Sequence, residues 1–198
     1  DKYGYIFCDI RFDDYETEYD AELFATIASM RDIAVATRNL KEVPEEIREK
    51  ASVSTYTVRL VGDDFLKYNY ILPDGERNIA LHMWEEKKKK KMEKKWWGYT
   101  MDGKLCTRSI APDFCYSIYD DISTSSLDKI SEANTYSSKI YNLGSHIVEP
   151  YLEGYINGKF FDGKFIMIGD LTEHDRHSTI VGEQPGSVIV LNALLALM

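Results

Sequence analysis

The chain has little of what would let it fold without a core. Three cysteines in 198 residues are too few for a disulfide scaffold, and their spacing suits no zinc site. With five prolines and twelve glycines, it shows no internal repeat, linker or low-complexity tract. No stretch reaches the roughly 20 apolar residues that cross a bilayer. A Gly-x-Gly-x-x-Gly turn, a Walker-type phosphate loop and a Gly-x-Ser-x-Gly elbow are all missing, so nothing calls for a nucleotide cofactor or a serine nucleophile. Positive charge is also in deficit. The net charge of −9 argues against a surface built to hold nucleic acid.

What is present describes an ordinary globular chain. Hydrophobic residues make up 44% and charged residues 29%, enough to bury a substantial core in one domain spanning residues 1–198. The charge is uneven. Lys87–Lys95 holds seven lysines and one glutamate, so this segment carries +6 and the remainder −15.

The order of patterns predicts an α/β fold: a single domain with a mixed, mostly parallel sheet and helices on both faces. "YGYIFCDI" (Tyr3–Ile10) is a short apolar run with strand character. Asp20 is placed to cap a helix, with Leu23, Phe24, Ile27 and Ala28 at helical spacing up to Met30. "DIAVAT" follows as a second strand, completing a βαβ unit whose parallel strands need a right-handed crossover. Pro44 and "EEIREKA" predict a short helix with proline in its first turn. "STYTVRLVG" and "FLKYNYIL" read as strands. The lysine run, flanked by Leu81, Trp84, Met92 and Trp96, reads as an exposed helix with a thin apolar stripe. Asp102-Gly103 between two β-rich stretches is a two-residue hairpin signal. "SLDKISEANTYSSKIYNL" predicts a helix and then a strand. Phe165–Ile168 is the last strand. After a loop to Gly186, "SVIVLNALLALM" is expected to form a terminal helix that is buried and also leads into a membrane span.

Polar residues gather after the last strand. Asp170, Glu173, His174, Asp175, Arg176 and His177 all follow Gly169 within eight positions. Asp9 and Asp170 each stand near the C-terminal end of an apolar strand. If those strands are parallel neighbours, the carboxylates meet at the edge where open α/β sheets take their ligands, overhung by the loop Asp170–Gly182. The plain reading is that the two aspartates cap turns and the histidines are solvated. The sharper one is a zinc or manganese site on His174, His177 and the aspartates, although a loop does not hold such ligands as a helix would. No metal is expected.

Several segments resemble the second type of CHASE domain, the extracytoplasmic sensory module of membrane-bound bacterial cyclases, histidine kinases and related proteins. "YIFCDIRF" is similar to that family's opening strand, with Asp9 and Phe12 in place, and "DAELFATIASMRDIAVATR" to its next helix and strand. "MDGKLCTR" resembles its Asp-Gly turn before an arginine, here Arg108, with "PDGER" at Pro73–Arg77 a weaker match. "KIYNLG" resembles the strand before its last third. "FDGKFIMIG", Asp175, Thr179, Pro185-Gly186 and "LNALLAL" resemble its closing signature. Two positions depart from it. Val190 stands where the family usually has a histidine, and its threonine-proline pair is Thr179-Ile180. Glu85–Lys95 looks like an insertion.

The resemblance implies a non-catalytic signal-input domain on the extracytoplasmic, periplasmic side of a bacterial cytoplasmic membrane, anchored by flanking transmembrane helices. The start at Asp1 and the apolar end suit a segment of a longer protein. Its partner would be a small-molecule or protein signal, and a homodimer is one arrangement to consider. Ligand contacts are expected at Asp9, Asp170, Asp175, His177 and Thr179. Cys106 and Cys115 could pair in an oxidising compartment. A metal-assisted hydrolase at the sheet edge and a cell-envelope interaction domain, suggested by 14 tyrosines, are the alternatives. The lysine run with Trp96 and Trp97 admits lipid contact, against the reading that it is a solvated face with its tryptophans packed on the domain.

Overall fold

A computed structural model describes residues 4–12, 17–55, 58–59, 65–111, 114 and 143–198. In chain order its elements are β1 (Tyr5–Cys8), α1 (Asp20–Ser29), β2 (Ile33–Thr37), β3 (Ala51–Val53), β4 (Val58–Arg59) and β5 (Phe65–Asn69). Then come α2 (Ile79–Lys88), β6 (Met92–Lys95), β7 (Gly98–Met101), β8 (Lys104–Cys106), β9 (Ser109–Ile110) and α3 (Glu149–Leu152). β10 (Phe165–Ile168), β11 (Arg176–Thr179), β12 (Gly182–Pro185) and α4 (Gly186–Leu195) complete it.

The protein is α/β. Its centre is a four-stranded sheet in the order β10-β1-β2-β3, with every neighbouring pair parallel. Period-two alternation sends β1 and β2 side chains to opposite faces, and helices cover both. Ile6, Cys8, Ile33 and Val35 pack with Phe24 and Ile27 of α1 and with Ile47 of a 3₁₀ turn, Glu45–Lys50. Tyr5, Phe7, Ala34 and Ala36 pack with α2 and with Ile189, Val190, Ala193 and Leu194 of α4. Burial on both faces is why these strands are continuous apolar runs. The expected parallel pairing of the first and last apolar strands is present, in register from Tyr5↔Phe165 to Cys8↔Ile168.

A second sheet, β12-β11-β5-β4 with β9 on β5, joins the late hairpin to the middle of the chain, and β6-β7-β8 form an antiparallel meander. Asn78, fully buried, links β5 of the second sheet to α2 and to Thr55 after β3. Its Oδ1 accepts from Ile79 N at 2.9 Å, capping α2, and from the Tyr68 hydroxyl at 2.8 Å. Its Nδ2 donates to the Thr55 carbonyl at 2.6 Å.

Several expectations need correction. Asp20 lies inside the first turn of α1, where its carboxylate accepts from Thr17 N and Oγ1, and Tyr19 holds the cap position. Of the periodic residues only Phe24 and Ile27 are buried, while Leu23 is exposed. Pro44 precedes a 3₁₀ turn and does not sit within a helix. The lysine run is not one helix. α2 ends at Lys88, Lys89 takes a left-handed conformation with φ 54°, and Met92 begins a strand. Lysines three and four apart repel on a helix, and the chain is drawn back by the buried Glu85. That carboxylate lies 2.7 Å from Arg77 Nε and 3.3 Å from Lys91 Nζ, and it accepts from Met92 N at 2.7 Å. Asp102-Gly103 does turn the hairpin, with both φ values positive (50° and 74°). The helix and strand expected across Ser126–Leu143 lie outside the described residues except for Leu143, where a π-helical turn to Val148 begins.

The terminal apolar run is a buried helix, with Val188, Ile189, Val190 and Ala193 inaccessible to solvent. Among the described residues no helix is long and apolar enough to cross a membrane.

Candidate functional site

β1 and β10 end at the same level because they are parallel and in register, and Asp9 N donates to the Ile168 carbonyl at 2.7 Å. That register sets Asp9 beside Gly169, one residue short of Asp170. The two aspartates therefore do not form a joint site. Asp170 is exposed, and its Oδ1 accepts from Thr172 N at 2.8 Å. Hydrogen bonds from Thr172 hold its carboxyl below the ordinary range. It is a turn cap, the plain reading of that residue.

Asp9 is half-buried and, by alternation with Tyr5 and Phe7, belongs to the face covered by α2 and α4. Burial pushes its carboxyl up to about 6, with the nearby Asp175 adding to the rise and His177 and Arg11 opposing it. Asp175 and His177 are thus the expected residues whose charges bear on Asp9. Their own contact is His177 Nε2 to Asp175 Oδ1, 3.4 Å. Residues 170–182, expected as an overhanging loop, instead contain a 3₁₀ turn at Glu173–Asp175 and β11, which pairs antiparallel with β12. Thr179 pairs with Phe65 of β5, which joins the hairpin to the second sheet. Thr179 itself is occupied within the hairpin. Its hydroxyl donates to the Gly182 carbonyl at 2.6 Å and accepts from Val181 N at 3.2 Å.

The residue that sequence reasoning missed is Ser187. α4 starts at Gly186 with no side-chain cap, at the point where the helix meets the end of β10. A Cβ on Gly169 would lie 3.2 Å from Asp9 Cβ and 3.4 Å from both Ser187 Cβ and Oγ. Glycine at 169 is what lets α4 come this close. Ser187 is fully buried, and among the described residues its hydroxyl has no hydrogen-bond partner. Such a group costs stability unless something satisfies it. Pro185-Gly186-Ser187 before an apolar run does announce a helix start, but nothing local shows that the serine is buried. Gly169→Ala should cost about 1–3 kcal/mol through crowding, measured by urea unfolding. A neutral result would mean that α4 stands further from β10.

At this edge the domain offers a half-buried carboxyl, a buried hydroxyl, an imidazole–carboxylate pair and the electropositive start of a helix. Among the described residues no three His, Cys, Asp or Glu side chains are arranged to hold a metal ion. Val190, at the position of the resembling family's histidine, is packed into the larger core. Cys106 is a free, half-buried thiol, and Cys115 lies outside the described residues. Compared with known proteins, the chain matches no family model, no curated protein and no solved structure.

Proposed function

We propose that this chain is a non-catalytic sensory domain of a membrane-anchored signalling protein. It stands on the extracytoplasmic side and takes a small polar signal molecule at the carboxyl edge of its parallel sheet. The observation that carries this reading is the buried, unpartnered Ser187 hydroxyl beside Asp9, at the uncapped start of α4. The likeness of the opening and closing segments to CHASE domains of the second type supports the same assignment.

The site chemistry suits a ligand that gives a proton to Asp9 and accepts from Ser187 and the first turn of α4. Small hydroxy- and amino-acid carboxylates present that pairing. α4 then supplies the output. It begins at the site and is packed along its length in the larger core, with Ala193 O accepting from the Tyr70 hydroxyl at 2.9 Å. A ligand that binds one packing of α4 better than another shifts the population of the whole helix.

Thermal unfolding with glycolate, malate and serine as probes tests this. At least one should raise the Tm of the wild-type chain, slow amide exchange in α4, and lose both effects in Ser187→Ala. Without ligand, Ser187→Ala should be about 1 kcal/mol more stable than wild type, since it removes an unsatisfied buried hydroxyl. If no probe shifts the Tm, or the shift survives both Ser187→Ala and Asp9→Asn, the edge is not a binding site of this kind.

A further inference from the structure

We infer that the β6–β7 hairpin is a docking tip for an anionic lipid surface. Its turn is Trp96-Trp97, held between the paired residues Lys95 and Gly98. Tryptophan is among the costliest side chains to leave in water, yet Trp96 is 95% exposed and Trp97 51% exposed. The expectation that these rings pack on the domain is therefore reversed. Leu105 on the adjoining strand is 73% exposed, and its Cδ1 lies 3.5 Å from where a Cβ on Gly98 would be. A third apolar side chain thus stands next to the turn.

The hairpin is anchored at its base. Met92 is buried, its N–H donates to Glu85, and its carbonyl accepts from Arg77 Nη2 at 3.2 Å. Strands fixed in this way present the rings outward and leave them no route back onto the core.

Charge selects the partner. The segment Lys87–Lys95 is +6 on a chain whose remainder is −15. An anionic surface attracts this end of the molecule and repels the rest, so attraction also sets orientation. Lysines beside exposed tryptophans match a headgroup layer, where indole rings settle at the boundary of polar and apolar lipid and ammonium groups meet phosphate. The other end of the hairpin, at Met101–Lys104, borders a hollow of about 420 Å³ with Lys90 and Leu197, so the Trp96-Trp97 turn is the end that projects. The charge and exposure of the tip do not rest on the membrane-anchored reading.

The test uses the 198-residue chain, with no signal molecule, and vesicles of phosphatidylglycerol mixed with phosphatidylcholine. The chain should co-sediment with these vesicles and not with phosphatidylcholine alone, and tryptophan emission should move to shorter wavelength on binding. Raising the salt concentration should release it. Trp96→Ala/Trp97→Ala should abolish the emission change and most of the binding. Lys88→Gln and Lys94→Gln should each lower the partition coefficient about fivefold. The lysine variants carry the test if the tryptophan variant proves unstable. The inference is overturned if the chain ignores anionic vesicles, binds neutral ones equally, or binds undiminished in all these variants. A preference for single-stranded nucleic acid over anionic vesicles would also overturn it.

Discussion

Asn78→Ala is expected to lower stability by about 3–5 kcal/mol, the largest loss predicted for a single side chain here. On a chain of this length that corresponds to a fall in Tm on the order of 10 °C. The change removes the α2 cap at Ile79 N and the acceptor of the Tyr68 hydroxyl, and it leaves the Thr55 carbonyl without its 2.6 Å donor. Asn78 and Tyr68 are fully buried, so water cannot replace the lost bonds without opening the core. Burial holds the Tyr68 phenol far above its ordinary range, which keeps it a donor in search of an acceptor. Tyr68→Phe should couple with Asn78→Ala, the double variant losing less than the sum of the single ones by at least about 0.5 kcal/mol. Additive losses, or a loss below about 1 kcal/mol for Asn78→Ala, would show the network to be solvated.

The second large effect is a gain. Asp9→Asn should stabilise the unliganded chain at neutral pH by on the order of 2–3 kcal/mol, because the native carboxyl sits where ionisation is penalised. The sign follows from the folded value lying above the unfolded one. Folding raises Asp9 from 3.8 to about 6, so between those values the folded chain holds more protons than the unfolded chain. Stability contributed by this group is therefore complete below about pH 4, falls as pH rises, and reaches its minimum above about pH 6. Subtracting the Asp9→Asn profile from the wild-type profile isolates this group from the other carboxylates. The measurement is urea unfolding from acid to neutral pH. A flat difference between the two proteins would mean that Asp9 is well solvated and would remove it from the candidate site.

These two predictions have opposite signs for one reason. Asn78 is a polar group whose partners are all present, so its loss breaks a satisfied network. Asp9 and Ser187 are polar groups whose surroundings do not repay their burial, and structural economy would have replaced both. Under the proposed function a ligand would supply the missing partners, and binding sites commonly give up stability for function.

The α/β class, the βαβ opening, the pairing of β1 with β10 and the Asp-Gly hairpin were legible in the chain. Each rests on a local pattern. Apolar runs of strand length, helical spacing at Phe24 and Ile27, and a turn that needs two positive φ values are properties of neighbouring residues. Asp175 and His177 could be placed in the neighbourhood of Asp9 because they follow a strand end closely. The remainder depended on contacts between distant segments. The lysine run read as a helix because no local feature discloses that Glu85 is buried and pulls Met92 back into a strand. Trp96 read as packed because apolar character is local, whereas exposure depends on what the rest of the chain places nearby. Asp170 and Asp9 looked equivalent, each the first aspartate after an apolar run. One residue of register separated them, leaving Asp9 half-buried beside Gly169 and Asp170 exposed to water. Register is set by the pairing of strands more than 150 residues apart, and side chains alternate with a period of two. The sequence alone therefore determined which residues end the strands, and only the tertiary pairing decided which of them faces inward.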